Sequence, residues 1–264
     1  MGAPPSYGWS LRLGPCGAAP APSVSGSAYT RAMPPKPATA RRPAAAKAVP
    51  APLVDFEALA AEQLRTAPID GLFAGDDRER EHFEGGDAGA VDLTGCSFLD
   101  CRFTGVTLTE ADLRGSRFIE TVFDAPFAHT LKAARTTWRD VRIHSPRWGS
   151  AEFFDADLES VHLVGGKIDY LNLRGSRLNN VILEECTITD LDLGDARAGR
   201  VALMNCRIGT LDVTRASCSS VDLRTSDFQA VHGIEGLAGT IVDDLQLSQF
   251  APLFAQHLGV RVEG

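Results

Sequence analysis

The chain has 264 residues, 44% of them hydrophobic, and 34 acidic against 26 basic side chains give it a formal net charge of −8. That length suits one or two domains. No apolar run approaches the roughly 20 residues of a membrane span, and the acidic balance weighs against a surface built to hold nucleic acid directly.

Residues 1–50 are rich in Ala, Pro, Gly and Ser, with six basic residues (Arg12, Arg31, Lys36, Arg41, Arg42, Lys47) and no acid. Such a composition predicts a disordered arm. It is either a basic arm touching nucleic acid or another anionic partner, or an extension of no selected role, with Met33 as the effective start. Arg41-Arg42 is similar to a twin-arginine signal and Leu13-Gly14-Pro15-Cys16 to a lipoprotein site. Both lack the apolar stretch that export requires, so a cytoplasmic protein is expected.

Residues 51–82 predict an N-terminal helical cap. Leu53, Phe56, Leu59, Ala60 and Leu64 follow helical spacing, Asp55 is placed to cap the start and Pro68 to end it. The mixed charge run Asp76–Glu81 reads as a solvated entry to the first coil.

From Phe83 to Phe228 every fifth residue is a repeat centre. Of these 30 positions, 25 are Leu, Phe, Ile, Val or Trp, the others being Ala88, Ala128, Ala133, Ala198 and Cys218. Five is neither the strand period of 2 nor the helix period of 3.6, so the chain must turn a corner at each repeat. A second inward row lies two residues before each centre. In it Val141, Val161, Val181, Val201 and Val221 recur every 20 residues, and Leu171, Leu191 and Leu211 do so ten residues out of phase. Four repeats therefore make one coil with four faces. The fold class is an all-β solenoid of about 7.5 coils over 83–232, with short helical caps at both ends.

Val91-Asp92-Leu93, Ala111-Asp112-Leu113 and Ala156-Asp157-Leu158 fit Ala-(Asp/Asn)-Leu-X-X. In this the sequence resembles the pentapeptide-repeat family, over roughly 150 of its 264 residues. The resemblance implies a right-handed quadrilateral β-helix. Pro126, Pro146, Trp138 and Trp148 depart from the pattern and predict a distorted square over 126–150, with Ala128 and Ala133 making room for the indoles.

Cys96, Cys101, Cys186, Cys206 and Cys218 fall at inward positions, where a free thiol behaves as a small apolar group. Cys186 and Cys206 are one coil apart, about 4.8 Å at strand spacing. Their parallel side chains favour free thiols over a disulfide or metal pair.

Over 82–232 there are 22 acids and 16 bases, and no face carries a strong field. The recurring row Asp92, Asp112, Glu152, Asn172, Asp192 and Asp212 is interleaved with bases such as Arg114, Lys132 and Arg174, which predicts cross-coil pairs. His162, Val164, Ile182, Ala202 and Met204 would lie together on adjacent coils as an uncharged patch, a candidate interaction site. Leu99, Ile119, Phe127, Phe154 and Tyr170 are scattered outward apolar residues.

Nothing assembles into a catalytic, cofactor or metal site. His144 could face Asp124 and Glu184 across coils, but no nucleophile stands beside it, and no phosphate-binding Gly loop or metal spacing occurs. An enzyme and a cofactor are not expected.

At 233–264 the frame dissolves. Leu245, Phe250, Leu253, Phe254 and Leu258 fall near one helical stripe, and Gly259 is a stop signal. Pro252 predicts a turn near Ser248–Ala251 and a helix starting with the proline in its first turn. This end either caps the last coil or pairs with a second copy, and a two-fold dimer is favoured.

Two functions are consistent with these features. The first is a non-enzymatic protein-interaction scaffold with an unidentified protein partner. The second comes from the resemblance: some pentapeptide-repeat proteins are dimeric rods that mimic DNA and bind DNA gyrase. A rod of about 36 Å (about 7.5 coils at roughly 4.8 Å) matches duplex DNA carrying on the order of 21 charges. These coils carry a net −6, evenly spread, so the scaffold reading ranks first.

Overall fold

A five-residue period keeps one row inward only if the backbone bends once per repeat, and the bend has a fixed place. In this computed structural model, which describes residues 52–54, 57–89, 91–261 and 263, the residue two after a centre takes a left-handed conformation. Glu120, Ala125, Asp155, Asn180 and Arg215 have φ between 50° and 56°, and Gly95, Gly115 and Gly175 have φ near 70°. From Thr130 onward one corner in four is made without it, and strands such as Phe127–Lys132 and Arg147–Glu152 run through that corner.

The chain divides into two compact units, Met1–Ala46 and Lys47–Gly264, and every described residue lies in the second. The predicted disordered arm, Cys16, and the predicted cap residues Asp55 and Phe56 lie outside the described residues.

Successive coils pair as parallel strands in a register of 20. Phe83, Phe103, Phe123, Ile143, Leu163, Leu183 and Leu203 form one inward column. A 13-stranded and a 6-stranded sheet cover the four faces. The longest ladder has ten strands, from Arg65–Thr66 to Thr240–Ile241, hence nine steps where the repeats alone give about 7.5 coils. The difference lies in the two ends, which add strands outside the five-residue frame.

The core is graded. Phe83, Phe103 and Phe123 stack at 4.8 and 4.6 Å, and Phe98, Phe118 and Trp138 at 5.1 and 4.3 Å. Beyond Phe153 the inward columns are mainly aliphatic. The stretch 126–150 keeps its register: Trp148 lies directly over Ala128. Pro126 and Pro146 are buried in the row two before a centre, where the amide takes no part in the ladder. Elsewhere that amide donates to a serine one coil on, as Cys96 N does to Ser116 Oγ (3.1 Å) and Cys206 N to Ser226 Oγ (2.9 Å). A proline there removes no sheet hydrogen bond. It does need room: a Cβ on Gly166 would overlap the Pro146 carbonyl, so the next coil carries glycine at φ 87°.

At the N-terminal end the helical element is not one helix over 53–64 but two single turns of 3-10 helix, Ala61–Gln63 and Ile69–Gly71. The first coil presents an open edge of carbonyls, which a strand can satisfy and a helix cannot. Arg65 N donates to Arg80 O (3.0 Å) and Ala67 N to His82 O (2.9 Å). Ile69 and Leu72 supply the apolar lid. The charge run is not wholly solvated either. Glu81 continues the inward row, is 1% exposed, and meets Arg65 and Arg78.

The C-terminal helix α1 spans Asp244–His257 with Pro252 inside it, rather than starting at the proline. Its start is fixed earlier, where Asp243 accepts from Gln246 N (2.8 Å) and Gln246 Oε1 accepts from Asp243 N (3.1 Å). Gln246 Nε2 then donates to Leu223 O and Ser226 O, both at 2.7 Å, closing the last coil's open edge. The bond lost at Pro252 is the one to Ser248, an exposed residue, so water can take it.

Candidate interaction face

The residue before each centre points outward, and on two of the four faces it is mainly exposed. Phe127, Arg147, Lys167, Thr187, Arg207 and Asp227 form such an exposed ladder. A less exposed ladder is Arg102, Val122, Arg142, His162, Ile182, Ala202 and Asp222. Val122 and Ala202 are only 4% and 6% exposed, yet neither belongs to the core cluster.

The segment before the first coil reaches this side of the solenoid at two points. Leu53 N donates to Asn180 Oδ1 (3.5 Å), and Arg102 Nη2 donates to Leu59 O (3.4 Å). Arg102 is itself held by Asp124 (2.6 Å). These contacts lie four strands apart, about 19 Å. The strap thus crosses the strands and runs along the solenoid axis.

The five patch residues are brought together. His162, Ile182 and Ala202 are register partners, and Val164 and Met204 lie in the next outward row. The patch is not uncharged, however. Glu184 sits between Val164 and Met204, and its Oε2 lies 2.8 Å from His162 Nε2. The 20-residue row that selected Val164 and Met204 also contains Glu184, so the signal was in the sequence. Of the two carboxylates expected around His144, Asp124 is its register partner and also bonds Arg102, whereas Glu184 stands two coils on, beyond Val164, and pairs with His162. Burial pushes the His144 imidazole below its ordinary value, with Asp124 opposing.

The C-terminal stripe divides in two. Phe250 is buried against Phe228 (ring centroids 6.2 Å apart), and Leu253 and Phe254 pack partly on the core. Leu245 and Leu258 are 67% and 75% exposed. Leu247, absent from the predicted set, is half exposed. With Ala251, Phe254 and Leu258 it forms a second stripe at spacings of four, three and four.

Several of the acids are neutralised locally, whereas burial, with Asp100 and Asp140 stacked on either side, pushes the Glu120 carboxyl up. Arg174 reaches Asp192 (3.0 Å) and Asp195 (3.1 Å), Arg215 reaches Asp195 (2.7 Å), and Lys132 reaches Glu110 (2.7 Å). The Arg114 guanidinium holds the Asp112 carboxyl below its usual range. The interior offers a void of only about 20 Å³, among Trp138, Trp148 and Phe153. Cys186 and Cys206 are free thiols bonded to backbone carbonyls, and burial pushes the Cys101 thiol up to about 11. Among the described residues no group of three or more His, Cys, Asp or Glu side chains is placed to hold a metal ion, and no helix is long and apolar enough to cross a membrane.

A family model described as pentapeptide repeats (8 copies) matches residues 90–124. No curated protein matches the chain. Among solved structures it is similar to a trypsin-treated variant of QnrB1, a plasmid-mediated fluoroquinolone resistance protein, at 17% identity over 73% of this chain and 92% of that one, TM-score 0.31. Full-length QnrB1 aligns at 14% identity over 74% and 100%, TM-score 0.28. HetL, a pentapeptide repeat protein involved in heterocyst differentiation regulation from the cyanobacterium Nostoc sp. strain PCC 7120, aligns at 14% identity over 66% and 92%, TM-score 0.25. At such TM-scores none of these likenesses bears on function.

Proposed function

We propose, from the premise that this chain belongs to the pentapeptide-repeat family, that it is a non-enzymatic rigid scaffold binding a protein partner along the face that carries His162, Val164, Ile182, Ala202 and Met204. The observation that carries this reading is the strap: this side of the solenoid already holds a segment of polypeptide, at Asn180 and at Arg102. Parallel ladders on both sides make the face stiff, so little ordering cost is left for a partner to meet on binding. A photo-crosslinking residue placed at Met204, which is 40% exposed, should give a heavier, intermolecular adduct in cells. The same residue at Thr189, exposed on another face, should give none. Equal yields at the two positions would remove the assignment.

The outer stripe of α1, Leu247, Phe254 and Leu258, is proposed to pair with a second copy in a two-fold dimer. Large apolar side chains are worth roughly 1.5–3 kcal/mol each when fully buried. Phe254 also packs on the cap, so the clean disruption is at the exposed positions. Leu247→Glu with Leu258→Glu should convert a dimer to a folded monomer in sedimentation velocity. A wild type that is already monomeric at tens of micromolar would leave α1 as a cap alone.

Mimicry of DNA toward gyrase is the weaker reading. A mimic needs a continuous run of unpaired anionic charge, and the acid rows here carry arginines and a lysine within ion-pair distance.

A further inference from the structure

A different surface carries a second kind of site. On the 6-stranded sheet a trough of about 510 Å³ lies across the strands Phe127–Lys132, Arg147–Glu152 and Lys167–Asn172. Sites for small organic ligands have volumes of roughly 300–1,000 Å³. We propose that this trough binds a flat aromatic monocarboxylate, with its ring in the slot above Gly149 and its carboxylate on Arg147. The proposal is independent of the docking face around His162.

Gly149 makes the slot. In the register of 20 it lies between His129 and Asp169, which are two strand spacings apart, about 9.6 Å. Both of those residues carry outward side chains and Gly149 has none. A Cβ on it would come within 2.5 Å of the His129 carbonyl oxygen, so the backbone is packed too closely on the previous coil to carry one. The walls are aromatic. Phe127 is 39% exposed, and its ring meets that of His129 edge to face, with centroids 5.2 Å apart. A ring seated above Gly149 adds a third member to that pair, in a geometry that aromatic side chains favour. Charge then selects the anion. Arg147 stands between Phe127 and Lys167 in the outward ladder. Lys167 is engaged by Asp169 (3.5 Å), whereas Arg147 has no acidic partner among the described residues. With His129 neutral, Arg147 and Lys167 against Asp169 leave the lining at a net +1, which suits one carboxylate better than a phosphate dianion. Arg147 and Gly149 are two residues apart on one face of a strand, about 6.6 Å, so a carboxyl on the edge of the ring is within reach of the guanidinium, whose planar fork matches it bidentately.

Titration of the isotope-labelled full chain with β-naphthoate, followed by amide shifts in NMR spectra, tests the proposal. Saturating shifts should appear at the Gly149 and Gly166 amides, which both border the trough, with a Kd below about 1 mM. Acetate supplies the anion alone and β-naphthol the ring alone, and each should bind about tenfold more weakly. Arg147→Gln should weaken β-naphthoate about tenfold, the loss of a charge-assisted contact, and Phe127→Ala about fivefold. Both side chains are exposed, so the rest of each variant's spectrum should stay in place. Thr187→Ala, one coil beyond Lys167 and outside the trough, should leave the affinity unchanged. No shift at Gly149 in the wild type at about 10 mM ligand would overturn the proposal. So would binding that Arg147→Gln leaves intact, or β-naphthol binding as tightly as β-naphthoate.

Discussion

Leu173→Lys should abolish the cooperative unfolding transition of the solenoid. Leu173 is a repeat centre in the middle coils and 3% exposed, with Leu193 in the core one coil on. Lysine there places an unpaired ammonium among aliphatic side chains. Effective penalties for such charges are several kcal/mol per ion, on top of roughly 1.5–3 kcal/mol of lost apolar burial. Domains of this size hold only about 5–15 kcal/mol in total. Thr189→Lys, at an exposed position beside Asp169 in the ladder, should stay within about 0.5 kcal/mol. Chemical denaturation of both variants checks the pair, and equal losses would show that the inward frame is misplaced.

Trp138→Ala should cost about 3–5 kcal/mol, the range for emptying a buried tryptophan site. Trp138 is among the largest fully buried side chains, lies 4.3 Å from Phe118, and donates from Nε1 to Thr136 Oγ1 at 2.7 Å. Its neighbours cannot close the space. Phe118 and Phe153 are fixed in their own columns, and Ala133 has only a methyl group, which cannot extend into the space. For a chain of this size the loss corresponds to a fall in Tm of about 10 °C. Because solenoid coils contact only their neighbours, hydrogen exchange should show the loss first in the strand Thr137–His144 and the coils beside it. Trp138→Phe keeps the stack and should cost about half as much. A loss below about 1 kcal/mol for the alanine variant would mean that the core does not depend on this packing.

Much of the fold was legible because one spacing controls it. The centres from Phe83 to Phe228 and the 20-residue return of Val141, Val161, Val181, Val201 and Val221 fix the faces and the register, and with them which residues point in. The corner rule is present in the sequence as well, though it does not emerge from the apolar spacing: Gly85, Gly95, Gly105, Gly115, Asp155 and Asn180 stand two after a centre, where φ is positive. Glu81 is buried because the inward row begins one repeat earlier than its charge suggests. The strap was not legible. Its apolar spacing fits a helix, but a short isolated helix is marginal, whereas the first coil's open edge offers hydrogen bonds to Arg65 and Ala67 and the outer surface offers Arg102 and Asn180. Those competing partners lie far away in sequence. At the other end Pro252 suggested a break, while Asp243 and Gln246 had already set the helix start. Of the candidate site, the row was found and its charge was not: His162 and Glu184 are 22 residues apart, in adjacent coils and neighbouring rows.

The central claim is that the outer surface of this solenoid presents a protein-docking face and not a copy of DNA's charge. A DNA gyrase supercoiling assay with increasing amounts of the full chain tests it most directly. Arg174, Arg215 and Lys132 sit within ion-pair distance of the acid rows, so supercoiling should proceed unchanged at every ratio of protein to enzyme. Inhibition that weakens as salt is added, the mark of a charge-driven competitor for the DNA site, would contradict it.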